Sequence, residues 1–92
     1  MAGNPQHVVL VANTEKFVHF DVNAGMVEVT NLDGTAEVYF TTNNTSATVA
    51  GEGCHVLPAA ISSLEIPDGT DGRSSVVRLR STGTPRVSVR VW

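Results

Sequence analysis

Apolar residues recur at every second position along most of this chain, in short runs broken by Gly, Pro, Asn and Asp. Period two belongs to strands, whose side chains alternate between faces, so the chain is confined to sheet structures. The residue types agree. There are 15 Val and 10 Thr among 92 residues, against one Lys and one Gln. Both dominant types are β-branched, stiff at the first side-chain torsion and suited to a pleated surface.

The runs can be followed one by one. His7 to Ala12 is apolar on both faces through Val8, Val9, Leu10 and Val11, as in a well-buried strand or one that a partner covers. Lys16 to Val22 sets Val18, Phe20 and Val22 on one face. Met26 to Leu32 carries Val27 and Val29 inward, and Thr35 to Thr42 carries Ala36, Val38 and Phe40 inward with Glu37, Tyr39 and Thr41 outward. Asp33-Gly34 lies between these two runs and readily takes positive φ, which predicts a hairpin over 26–42. Ala47 to Val49 is a candidate edge strand, Cys54 to Leu57 a short strand stopped by Pro58, and Pro58 to Ala60 at most one helical turn. Ser62 to Ile66 is followed by an exposed loop from Pro67 to Gly72. Ser74 to Arg80 and Arg86 to Trp92 predict a second hairpin, with Val77, Leu79, Val87, Val89 and Val91 inward.

Seven to eight short, mostly antiparallel strands spaced about ten residues apart make an all-β fold. A two-layer β-sandwich, Ig-like or jelly-roll-like, or a small barrel fits that pattern. Ninety-two residues suffice for one domain, read as residues 7–92 behind a short N-terminal arm, 1–6. A domain this small has little stability to spare and gains from assembly.

Charged residues make up 16% of the chain, below the roughly 25% of an average soluble domain, and the net charge is −3. Nothing in that balance points to nucleic acid or to an anionic membrane. No run approaches the roughly 18 apolar residues of a membrane span. Cys54 has no second cysteine to pair with, and the opening residues lack a basic, apolar secretory signal. Synthesis in a cytoplasm follows as the expectation, with export only inside an assembly.

Residues suited to catalysis do not converge. His7, His19 and His55 fall in different runs, without the spacing of a zinc site. Cys54 and His55 are adjacent in a strand and point to opposite faces, which opposes a thiolate–imidazolium pair. Asp68 to Gly72 lacks the further oxygen ligands of a calcium loop, and Gly51-Glu52-Gly53 opens no helix that would cradle phosphate. The expectation is a protein without enzymatic activity, cofactor or metal.

Charge is segregated instead. Residues 1–72 hold all nine acids and one base, a net of −8, whereas 73–92 hold Arg73, Arg78, Arg80, Arg86 and Arg90 without an acid. Alternation puts Arg78 and Arg80 on the outward face of one strand and Arg86 and Arg90 on that of the next. Facing like charges destabilise a sheet, so a neutralising partner is required. One reading is internal, with Glu28 and Glu37 beside them. Another is an acidic protein partner, suited to bidentate guanidinium contacts, and phosphate is a third. Asn4 and Pro5 in the arm, together with Trp92, join the four arginines as candidate contacts, since tryptophan is enriched at buried interfaces.

The stretch Val27 to Phe40, followed by Asn43 to Val49, His55 to Ala60, Val76 to Leu79, Ser81 to Pro85 and Val87 to Val89, resembles small β-rich proteins encoded by tailed phages of actinobacteria. The resemblance covers roughly residues 8–91 and rests on turns and alternating valines. It departs from the pattern Asp-Gly-Thr-Ala-Pro-Thr-Val at Asn43 to Val49, where Ala47 occupies the proline position. The resemblance implies a virion structural protein of the capsid decoration kind, located on the capsid surface. It implies the major capsid protein as partner and a homo-oligomeric state. An adhesin-like module contacting a host glycan or surface protein through the loops at 43–53 and 67–72 is the alternative.

Overall fold

The computed structural model describes residues 5–20, 22, 24–43, 47–48, 54–67 and 75–92. Within them the chain forms eight strands: β1 (Gln6–Val9), β2 (Lys16–His19), β3 (Met26–Asn31), β4 (Val38–Thr41), β5 (His55–Leu57), β6 (Ser62–Pro67), β7 (Val76–Arg80) and β8 (Arg86–Val91). They make two four-stranded sheets, ordered β1-β8-β3-β6 and β2-β7-β4-β5, in which all the pairs are antiparallel. The first pairs with the last, the second with the second-last, and so inward to β4 and β5. A long antiparallel ribbon rolled into two layers gives that order, which is the order of a jelly roll.

The inward sets mesh between the sheets. Val27, Val29, Val87, Val89 and Val91 from the first sheet meet Val18, Val38, Phe40, Leu57, Val77 and Leu79 from the second, with Leu10 and Phe20 closing the ends. Packing of alternate residues from two pleated faces is what the period-two pattern demands.

Both expected hairpins are overturned. β3 and β4 lie in different sheets, as do β7 and β8. Gly34 does take a positive φ of 67°, but the turn is an arch that carries the chain across the sandwich. Asn31 explains why no ladder is needed there. Its buried amide donates to the carbonyls of Ala36 (2.9 Å) and Pro58 (3.1 Å), while its oxygen accepts from the Gly34 N–H (3.1 Å). The second arch is held similarly. The buried Ser81 hydroxyl donates to the Glu37 carbonyl (2.6 Å) and accepts from the Gly83 N–H (3.2 Å).

Smaller expectations also change. Pro58 to Ala60 forms no helical turn, only a three-residue turn closed by Ala60 N–H on the Pro58 carbonyl (2.8 Å). Val22 is exposed beyond the end of β2, and Thr41 is buried although it points outward. Ala47 is also fully buried and belongs to no strand. Val49 and the loop at 68–72 lie outside the described residues.

Candidate functional site

The four candidate arginines divide between opposite faces of the molecule. Arg78 and Arg80 stand on the outer face of the second sheet, Arg86 and Arg90 on that of the first. A single basic hairpin is therefore excluded: β7 and β8 are not neighbours, and no strand edge presents all four charges together.

On the second sheet both arginines are used within the chain. Arg78 pairs with Glu15 (Nη1 to Oε2, 3.3 Å) and its guanidinium lies 4.4 Å from the centre of the Phe17 ring, its cross-strand partner. Arg80 donates to the carbonyls of Ala47 and Asn13, both at 2.8 Å. Glu15 also accepts from the Ala47 N–H at 2.6 Å. These groups form a polar clamp that straps the chain at Ala47 across β7. The internal reading expected Glu37 to help neutralise the arginines. Glu37 instead accepts from the Tyr39 hydroxyl (3.3 Å), and desolvation together with the Glu37 charge pushes the Tyr39 phenol above its ordinary pKa.

On the first sheet the internal reading holds at Glu28. It sits directly across the ladder from Arg90 and pairs with it at 3.2 Å. Its other cross-strand neighbour is Glu65, so Arg90 offsets an acid–acid contact. The Arg90 guanidinium also lies 4.5 Å from the centre of the Trp92 ring. Trp92 is half exposed, yet its backbone is tied: its carbonyl accepts from Gly25 and Met26, and its N–H donates to Met26. Arg86 is exposed, and its N–H donates to Asp33 Oδ2 (3.1 Å). Desolvation acts to raise the pKa of Asp33, but hydrogen bonds from Thr35 and Arg86, with the Arg86 charge, outweigh it and hold the carboxyl below its usual value.

Pro5 is exposed, one step before the Gln6–Val89 pair, and Arg86 lies across from Val9. Pro5, Arg86, Arg90 and Trp92 thus share the outer face of the first sheet, whereas Asn4 lies outside the described residues. β1 is an edge strand, and Val9 and Val11 are 55% and 54% exposed. These exposures set aside the reading of the run as buried on both faces. Phe17 (57%) and Ile61 (75%) are further exposed apolar groups that alternation alone did not place.

The three histidines occupy different strands, with His55 stacked against Phe40 at 5.4 Å between ring centres. Cys54 is half buried and accepts from the Thr48 N–H at 3.5 Å. Among the described residues, no three His, Cys, Asp or Glu side chains are grouped to hold a metal ion. Comparison with protein-family models, with curated proteins and with solved structures finds no match.

Proposed function

We propose that this chain is a virion structural protein of the capsid decoration kind, binding and stabilising an assembled phage head. The observation that carries the proposal is the outer face around β1 and β8. There Val9 stands exposed across the ladder from Arg86, and the Arg90–Trp92 pair lies farther along β8 on the same face. Exposed apolar groups next to guanidinium and indole are the chemistry of a protein-binding surface. The partner in this reading is the major capsid protein, and the site of action is the capsid surface after synthesis in the host cytoplasm. The sequence resemblance to actinobacterial phage proteins supports the same reading. The fold by itself does not, because jelly rolls serve many functions.

The mechanism needs no bond chemistry. A module that binds the assembled lattice and not its loose subunits stabilises the lattice by mass action. The test is co-sedimentation of the purified protein with capsids, followed by heating of particles with and without it. Retention on capsids with raised heat tolerance supports the proposal. Particles indifferent to its removal, or retention by host cells or glycans instead, overturn it.

A further inference from the structure

The two sheets end in four edge strands, β1, β6, β2 and β5, and they are not equally protected. A bare edge presents unpaired N–H and C=O groups that another strand can complete, and proteins blunt such edges with charge, proline, shortness or cover. β5 is only three residues long and is followed by Pro58. β6 carries Glu65 and ends in Pro67. β2 begins with Lys16, and the Gln6 side-chain amide donates to its His19 carbonyl at 2.8 Å. Among the described residues, β1 carries no Lys, Arg, Asp, Glu or Pro between His7 and Val9.

Ladder alternation identifies the open groups. The Leu10 N–H bonds the Pro85 carbonyl beyond the Val8–Val87 pair, so Gln6, Val8 and Leu10 face β8. The N–H and C=O of His7 and Val9 therefore point off the sheet.

We infer that β1 pairs with β1 of a second copy of this chain, antiparallel about a two-fold axis at Val8. In that register His7 of each copy meets Val9 of the other, and both pairs are of the hydrogen-bonded type, giving four N–H···O bonds. Val8, only partly buried in the single chain, packs on its own symmetry mate over the joined core. Pro5 has no N–H and ends the ladder, which limits it to this short register. Self-pairing also suits the composition: none of the residues 6–11 is Lys, Arg, Asp or Glu, so two copies meet without repulsion between such side chains. The product is one continuous eight-stranded sheet, β6-β3-β8-β1 joined to its mate.

This inference concerns the edge of the first sheet and stands apart from the capsid reading, so its test uses the purified full chain alone. Sedimentation equilibrium over a range of concentrations should show a species of twice the chain's mass. Amide exchange at His7 and Val9 should slow as that species fills. Val9→Pro removes a donor that the single chain does not use, and Val9→Lys places a charge on the edge. Val9→Pro should weaken association by about tenfold or more, the effect of losing one or two hydrogen bonds, and Val9→Lys should weaken it by bringing two like charges to the seam. If Val9→Pro disturbs the fold by circular dichroism, Val9→Lys on the exposed face carries the test. A single mass at all concentrations overturns the inference. So does a dimer in which His7 and Val9 exchange as fast as in dilute solution, or one unaffected by Val9→Lys.

Discussion

Asn31 is fully buried, and its amide reaches the backbone of two connections, Gly34 and Ala36 in the first arch and Pro58 in the β5–β6 link. Replacing it with Ala leaves two carbonyls and an N–H without that partner. Asn31→Ala should cost about 2–4 kcal/mol in urea unfolding, since each buried orphan costs about 1–3 kcal/mol and some will find water. Gly34 is constrained twice over. Its φ is positive, and a Cβ there would lie 2.8 Å from backbone atoms of Ala60 and Ile61. Gly34→Ala should therefore destabilise by more than the roughly 1 kcal/mol that a favourable site would gain. Asp33 sets an acid-side dependence. Its folded pKa is depressed, so its contribution is fully present above the ordinary carboxylate value of about 4 and is lost as pH falls through the lower folded value. The stability difference between the wild type and Asp33→Ala, measured by urea unfolding, should shrink as pH is lowered through that window.

Strands were legible because burial imposes a period on the residues. Val27 and Val29, Val77 and Leu79, and Val87, Val89 and Val91 all point inward as alternation requires. Pairing was not legible for the same reason: a strand shows the same alternation whichever neighbour it has. Asp33-Gly34 announces a reversal with positive φ, but it is the Asn31 amide, a three-dimensional contact, that makes the reversal an arch. Among the described strands, only β4 and β5 are both consecutive and paired. The misplacement of Arg78 and Arg80 beside Arg86 and Arg90 follows from that one ambiguity. Glu15, one residue before β2, is the acid that meets Arg78, across 63 positions of sequence. Its role predicts that Glu15→Ala, which strips the clamp from Ala47 and Arg78, should cost about 1–2 kcal/mol. Arg90→Ala breaks a more exposed pair and should cost under about 1 kcal/mol by the same unfolding measurement.

At the scale of the molecule, the proposed function uses only one of the two outer faces. The second sheet spends Glu15, Arg78 and Arg80 on holding its own chain, whereas the first leaves Val9, Arg86 and Trp92 toward solvent. The account therefore assigns partner binding to the first face. The direct test is co-sedimentation with capsids of two charge variants at exposed valines, each first shown to be folded. Val11→Glu lies beside the proposed docking face, and Val56→Glu lies on the outer face of the second sheet. The account predicts that Val11→Glu stays in the supernatant while Val56→Glu sediments with the particles as the wild type does. Equal retention of both variants, or loss confined to Val56→Glu, would contradict it.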